Sequence, residues 1–326
     1  MRKADYFEKF GNDKVRCTLC PHYCILSVNQ TGLCLGRKNI AGELTATNYE
    51  KVLTIADDPI EKKPLYHFHP GTMIISAAQS GCNLKCPFCQ NYDISQNSHE
   101  SAFLPIEGLY SILKSKNRNS IAFTYTEPLM WYEYIYDFGS MFKDEIEIIL
   151  VTNGTINEEP LKKIIPYIRA ANIDLKSFNK DFYRVELNGD LETVKRSIQM
   201  FYESNVHIEI THLLIPQKTD DIDEFRRMID FIYSLSPEIP FHISRYFPNY
   251  KYALSPTKID ILKKFYSEAK KLLKYVYLGN VIEKEYSNTY CPKCNALLIE
   301  RENYNTLIHI KDNLCFNCRE KINMIL

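Results

Sequence analysis

The sequence predicts an α/β fold: a partial, open (β/α)6-type barrel of parallel strands, with a cysteine-rich region before it and a small four-cysteine module after it. Three observations lead there. Strand-like and helix-like segments alternate through the middle of the chain, and repeated βα units imply a parallel sheet with helices on its outer face. These units number about six or seven, short of the eight that close a full barrel. The 11 cysteines fall into three clusters, with none between residues 90 and 290. Ligand groups partition in this way; scattered core cysteines do not. The expected division is 1–71, 72–285 and 286–326.

Residues 1–71 read as irregular, with short strands such as GELTATNYEKVLTI, ending in the turn-like His69-Pro70-Gly71. TMIISAA lies between Gly71 and Gly81 and suits a buried strand. PIEGLYSILKSK has helical spacing and a favourable leading proline. SIAFTYT reads as a strand, PLMWYEYIYDFGSMF as a helix, EIEIILVTNG as strand and turn, and INEEPLKKIIPYI as a short helix. RAANIDLKSF is a strand, and KDFYRVELNGDLETVKRSIQMFYES is helical with a turn at Asn188-Gly189. VHIEITHLLI is a strand, and TDDIDEFRRMIDFIYSL is a helix opened by acidic residues and a threonine cap. FHISRYF, PTKIDILKKFYSEAKKLLK and YVYLGN complete the series as strand, helix and strand. In such folds the active site lies at the C-terminal ends of the strands.

A chain of 326 residues with 45% hydrophobic content can build one large core plus small modules. Lysine plus arginine and aspartate plus glutamate both count 40, so the basic excess of a general nucleic-acid binder is missing. MRKADYFEKFGNDK has no apolar segment of the signal-peptide kind, and no apolar run reaches membrane-spanning length. The expectation is a cytoplasmic protein without membrane or nucleic-acid partners. In a reducing compartment, clustered cysteines read as metal or catalytic sites.

The central cluster is Gly81-Cys82-Asn83-Leu84-Lys85-Cys86-Pro87-Phe88-Cys89-Gln90-Asn91. A cubane iron–sulfur cluster normally takes four thiolates. Three closely spaced cysteines leave one iron open to a small molecule, as in a catalytic metal site. The alternative is zinc, with His99 as fourth ligand. Cys291, Cys294, Cys315 and Cys318 form a CxxC…CxxC pair with zinc-ribbon spacing. Zinc is the expected metal there, a rubredoxin-like iron the second choice; the site would be structural. Cys17, Cys20, Cys24 and Cys34 are less regular, so zinc and a second Fe–S cluster both stay open, with a slight preference for zinc and with His22 as a possible substitute ligand. Asp174 and Lys176 share a strand face opposite Ile173 and Leu175. They read either as an ion pair at the barrel mouth or as ligand contacts.

The CxxxCxxC pattern after the first barrel strand, with Phe88 before the third cysteine, resembles the signature of radical S-adenosylmethionine (SAM) enzymes. The surrounding GCNLKCPFCQNYDISQ resembles the branch containing the pyruvate formate-lyase activating enzyme. Within it, the chain looks most like the AmmeMemoRadiSam system radical SAM enzyme. IEKKPLYHFHPGT, AFTYTEP, VTNG, ANIDLKSF and the terminal CPKC…C extend the likeness over nearly the whole chain. The resemblance implies that Cys82, Cys86 and Cys89 are the catalytic ligands of a [4Fe–4S] cluster. SAM would bind its open iron through the methionyl amine and carboxylate. Reductive cleavage would then yield a 5′-deoxyadenosyl radical, which takes hydrogen from a substrate. Phe88, Glu127, Asp174, Lys176 and His242 are the implied cofactor-binding residues. Glu127 would receive the methionyl amine, Asp174 and His242 the ribose, and Lys176 the carboxylate. Related enzymes carry Gly-Gly-Glu-Pro where this chain has Tyr125-Thr126-Glu127-Pro128, so backbone contacts there depart from the pattern. The Thr152-Asn153-Gly154 turn, His212 and the Gly279-Asn280 strand end are further candidates. An electron donor such as flavodoxin or ferredoxin is implied. The substrate is open between a small molecule, a protein, and the glycine Cα–H of a partner enzyme, as in glycyl-radical activation. The competing class is a non-catalytic zinc protein that binds a partner or nucleic acid.

Overall fold

The computed structural model describes residues 2–326. Its centre is an eight-stranded sheet whose strands follow one another in space as in sequence. We number them β1 (Thr54–Pro59), β2 (Met73–Ala78), β3 (Ser120–Phe123), β4 (Glu147–Thr152), β5 (Ile168–Asp174), β6 (His207–Leu214), β7 (Phe241–Arg245) and β8 (Val276–Gly279). From β2 to β8 every neighbouring pair is parallel; β1 runs antiparallel to β2. The sheet has two edges, β1 and β8. The edge strand β1 comes from within 1–71, a stretch that sequence patterning assigned to the N-terminal region. Its TIADDP carries too few apolar residues to look like a sheet member, yet it pairs with all six residues of β2.

Six helices of at least seven residues connect the parallel strands: α1 (Ile106–Ser115), α2 (Tyr132–Phe142), α3 (Glu158–Ile164), α4 (Leu191–Glu203), α5 (Ile222–Leu235) and α6 (Ile259–Ala269). Parallel strands need such crossovers, and helices on the outer face bury it. Strand alternation sorts the residues between the two faces. Ile75, Ile121, Ile148, Leu150, Ile173 and Ile210 join the core shared with the helices. Ile74, Ala122, Ile149 and Ala170 belong to a separate inner core with Ile60, Leu65 and Phe68. Segment 64–68 thus lies across the inner face. Asn172 on β5 donates to the Pro64 carbonyl at 2.8 Å, and Glu209 on β6 accepts from the backbone of Tyr66 and His67.

Helix starts follow local chemistry. Asp190 caps α4 by accepting from the Thr193 amide at 2.8 Å. The cap of α5 is Asp221, which accepts from the Asp223 and Glu224 amides, and not the threonine expected from the sequence. Thr219 is held elsewhere: its hydroxyl donates to the Leu213 carbonyl and accepts from the Ile215 amide.

The C-terminal stretch forms an antiparallel three-stranded sheet, β9 (Thr289–Tyr290), β10 (Leu297–Glu302) and β11 (Asn305–Ile308). Its small core shares Tyr275 and Tyr277 with the β8 edge. Arg301, almost fully buried, donates to the Tyr66 carbonyl and Thr289 and lies over the Tyr66 ring at 4.3 Å. At the other end of the chain, two small antiparallel sheets carry residues 2–46. No helix among the described residues is long and apolar enough to cross a membrane.

Candidate active site

The loop after β2 carries Cys82, Cys86 and Cys89 at the C-terminal edge of the parallel strands. Its entry depends on Gly81, whose φ of +102° disfavours any side chain, and a Cβ there would collide with the Cys34 carbonyl oxygen. The Lys85 amide donates to the Leu187 carbonyl, and the Lys251 amide to the Pro87 carbonyl. Phe88 is buried and packs on Phe182 and Tyr252, with ring centroids 6.4 and 5.8 Å away. It shapes the floor of the loop by packing.

Polar donors gather at the sulfurs. The Leu84 amide reaches Cys82 Sγ at 3.4 Å, and Asn153 Nδ2 lies 3.6 Å from it. Ser95 Oγ is 3.4 Å from Cys89 Sγ. Burial pushes the Cys86 thiol up to about 11, and burial followed by the nearby Glu127 raises the Cys82 thiol well above its ordinary value. A metal ion reverses that preference, because a coordinating thiol is deprotonated outright. Three thiols with donors already aimed at two of them suit thiolate ligation of an iron–sulfur cluster. They do not suit a single ion: among the described residues, the one metal-ligating set whose ligand atoms converge within 4.8 Å is Cys291, Cys294, Cys315 and Cys318. His99 bonds the Asp93 carbonyl instead.

Glu127 follows β3 and is 1% exposed. Its carboxylate accepts from Thr152 Oγ1 at 2.6 Å, the Leu129 amide at 3.0 Å and the Asn153 amide at 2.8 Å. Burial pushes its carboxyl up to about 7, against the pull of those three donors. The turn Thr152-Asn153-Gly154 therefore does more than reverse the chain: it joins Glu127 to Cys82. Asn153 Nδ2 also donates to Asn83 Oδ1, and Asn83 Nδ2 to the Thr155 carbonyl. Asn153 belongs to the turn that the sequence offered as a candidate, whereas Asn83 went unnoticed as a site residue, although it stands beside Cys82.

Tyr125 has φ +68°. Its ring reaches back to the inner face, where the hydroxyl donates to Asp58 and the ring lies 4.5 Å from Lys63 Nζ. Buried Lys63 also donates to Asp58, at 2.6 Å. Asn91 Nδ2 holds the Tyr125 carbonyl at 2.7 Å. A left-handed tyrosine is strained, and these contacts hold it.

Asp174 ends β5, and Lys176 stands two residues on. They form an ion pair at 2.9 Å, with Asp174 the more exposed. Burial alone would lower the Lys176 pKa, but Asp174 and the Cys86 thiol reverse this and hold it raised. The Lys176 amide donates to the Tyr183 hydroxyl at 3.0 Å. This pair therefore borders the Cys86 side of the loop.

His242 on β7 is buried on the inner face, donates to Glu209 Oε2 at 2.6 Å and stacks on Tyr277. His212 points the other way, under α5, with Nδ1 donating to the Leu175 carbonyl. At the end of β8, Asn280 has φ +60° and donates to the Arg245 carbonyl.

Away from the loop, Cys291 and Cys318 Sγ are 3.5 Å apart, and Cys294 and Cys315 Sγ 3.6 Å. Zinc bound at about 2.3 Å would separate tetrahedral thiolates by about 3.8 Å, so the set can hold a metal ion. The Ala296 amide and the Asn317 side chain draw the Cys294 thiol down to about 6. Cys17, Cys20, Cys24 and Cys34 line one cavity on the N-terminal side of the Cys82 loop.

A family model described as the Radical SAM superfamily matches residues 77–232, which include all three loop cysteines. An uncharacterized protein of Methanocaldococcus jannaschii is 40% identical over 336 residues, covering all of both chains. The pyruvate formate-lyase 1-activating enzyme of Escherichia coli is 22% identical over 171 residues, 50% of this chain and 69% of its own. Among solved structures, Streptococcus suis SuiB bound to S-adenosylmethionine superposes with a TM-score of 0.50 at 15% identity, covering 64% of this chain and 52% of SuiB. That likeness is one of fold.

Proposed function

The chain belongs to the radical SAM superfamily, and from that premise we propose that Cys82, Cys86 and Cys89 hold a [4Fe–4S] cluster with one open iron, where SAM binds. When bound, the cluster and SAM supply a one-electron cleavage that generates the 5′-deoxyadenosyl radical for hydrogen abstraction from a substrate. The observation that carries this reading is the three-thiol loop at the strand ends, with Asn153, Glu127 and Lys176 arranged around it.

The protein's own part is positioning and exclusion of water. Lys176, kept cationic by Asp174, offers its charge to the methionyl carboxylate. Asp174, the more exposed partner, is free to turn to the ribose hydroxyls. Glu127 already accepts three protein donors, so its carboxylate receives the methionyl amine only through a remaining lone pair. Its first work is to clamp the β3 and β4 ends together. The closed packing of Phe88, Phe182 and Tyr252 keeps water from beneath the loop. His242 acts through Glu209 and Tyr277 to shape the wall below. The C-terminal four-thiol set holds zinc as a structural staple, and a flavodoxin or ferredoxin serves as electron donor. The motifs flanking the loop support an AmmeMemoRadiSam assignment.

The substrate has a second reading. The similarity to the pyruvate formate-lyase 1-activating enzyme favours a protein glycine Cα–H. Anaerobically reconstituted enzyme with dithionite and SAM should release 5′-deoxyadenosine, and Cys86→Ser should abolish the release. Failure of the wild type to form either the cluster or 5′-deoxyadenosine would sink the proposal. A glycyl-radical EPR signal in a co-purified partner would select the second reading of the substrate.

A further inference from the structure

The proposed function leaves a group of four cysteines unused. Cys17, Cys20, Cys24 and Cys34 line one cavity, together with Arg37 and Asn83. Three of the thiols are buried and Cys24 is half-buried. They surround the space without closing on a point: no three of them lie within 4.8 Å of one another, whereas the four C-terminal thiols do. A single tetrahedral zinc would hold its sulfurs about 3.8 Å apart. A four-iron cubane carries its thiolates at its corners and spreads them much wider. The two cysteine groups of this chain thus have different geometries, and only the C-terminal one suits a single ion.

Arg37 supplies a second, independent observation at this cavity. It is 1% exposed, and its terminal nitrogens donate to the Asp5 carbonyl and to the Glu133 carboxylate. Its Nε is buried without any partner, and a buried donor left unmade is costly. A sulfur-rich, anionic occupant of the cavity that Arg37 lines would receive it. Hydrogen bonds to cluster sulfur of this kind also tune potential.

We propose that Cys17, Cys20, Cys24 and Cys34 hold a second [4Fe–4S] cluster, fully ligated by thiolates and packed against the loop that bears Cys82. The connection is short. His22 Nε2 donates to the Asn83 carbonyl at 2.7 Å, and Asn83 Oδ1 accepts from Asn153, whose amide also faces Cys82 Sγ. The Cys34 carbonyl sits where Gly81 lacks a Cβ. With every iron ligated, this cluster has no position for substrate. It can exchange single electrons: one in from a flavodoxin- or ferredoxin-class donor, one out to its neighbour, with no bond made or broken. The exchange rests on the cluster reading of Cys82, Cys86 and Cys89; the second site itself rests on its own residues.

The test is metal stoichiometry on the full chain, reconstituted anaerobically as wild type, as Cys20→Ser/Cys34→Ser, and as Cys82→Ser/Cys86→Ser/Cys89→Ser. Two cubanes require about eight irons and eight sulfides in the wild type and about four of each in either variant. The triple variant should show the Mössbauer signature of a cubane. Should the double variant fail to fold, the triple variant still decides, because its N-terminal ligands are intact. A triple variant with no iron, with two irons, or with a second zinc in their place overturns the inference while leaving the proposed function standing. Four irons in the triple variant, with no 5′-deoxyadenosine from the wild type, would do the reverse.

Discussion

Glu127 shows how one carboxylate can hold a site together. Three protein donors reach it, from the Thr152 hydroxyl and the Leu129 and Asn153 amides. Glu127→Gln keeps the size but turns an NH2 toward one of those amides. Losing a charge-assisted bond and stranding a buried donor should cost about 2–3 kcal/mol in urea unfolding; an unchanged midpoint would mean that the clamp carries no strain-bearing load. Gly81 is the second such residue. Gly81→Ala must leave the left-handed region or push the Cys34 carbonyl away. The expected outcome is loss of most iron from the Cys82 loop after reconstitution, read by iron and sulfide assay. The three loop cysteines stood out in the sequence because their spacing is local. Asn83 and its link to Asn153 did not, because a hydrogen bond between residues seventy apart leaves no trace in spacing.

Among the elements, strand alternation was the most legible feature. Asp174 falls on the inner face of β5 while Ile173 packs outward with the helices, as a period of two requires. The same rule sends His242 inward and His212 outward beneath α5. Seven of the eight central strands were readable as apolar runs. β1 was not, because its TIADDP is an edge strand whose aspartates serve Lys62, Lys63 and Arg118. The start of α5 shows the limit of cap signals: three candidate residues stand in a row, and only tertiary contacts draw Thr219 away to Leu213. Asp221→Ala should cost about 1 kcal/mol by thermal or urea unfolding. Thr219→Ala tests the same assignment from the other side, since it should affect the β6–α5 loop and not the helix end.

In the whole molecule, segment 64–68 and the C-terminal module close the inner face together. Glu209 accepts from His207, His242 and the backbone of Tyr66 and His67. Burial alone would raise its carboxyl, but the two imidazole N–H groups hold it well below the usual range. His67 must donate from Nδ1 to the Asn323 carbonyl, so its Nε2 accepts from Tyr277 and the ring is neutral. Burial brings its pKa down to about 4. The unfolded chain binds this proton below about 6.5 and the fold resists it, so stability falls as pH drops from about 6.5 to 4, by at most about 3 kcal/mol. Glu209 adds a loss of the same sign below about 4.3. Urea midpoints measured across that range should slope less in His67→Gln than in the wild type. Cys294→Ser should loosen the module and lower the melting temperature, with 5′-deoxyadenosine release retained at low temperature; unchanged melting would remove the staple role. The sequence by itself determined the alternating α/β frame and the three cysteine groups, because periodicity and ligand spacing are properties of neighbouring residues. Only the tertiary structure decided that β1 joins the sheet, that a histidine and an asparagine link the N-terminal thiols to the loop, and that these four thiols enclose a space where the C-terminal four converge. Those outcomes depend on where distant segments meet, and burial and packing set that for the chain as a whole.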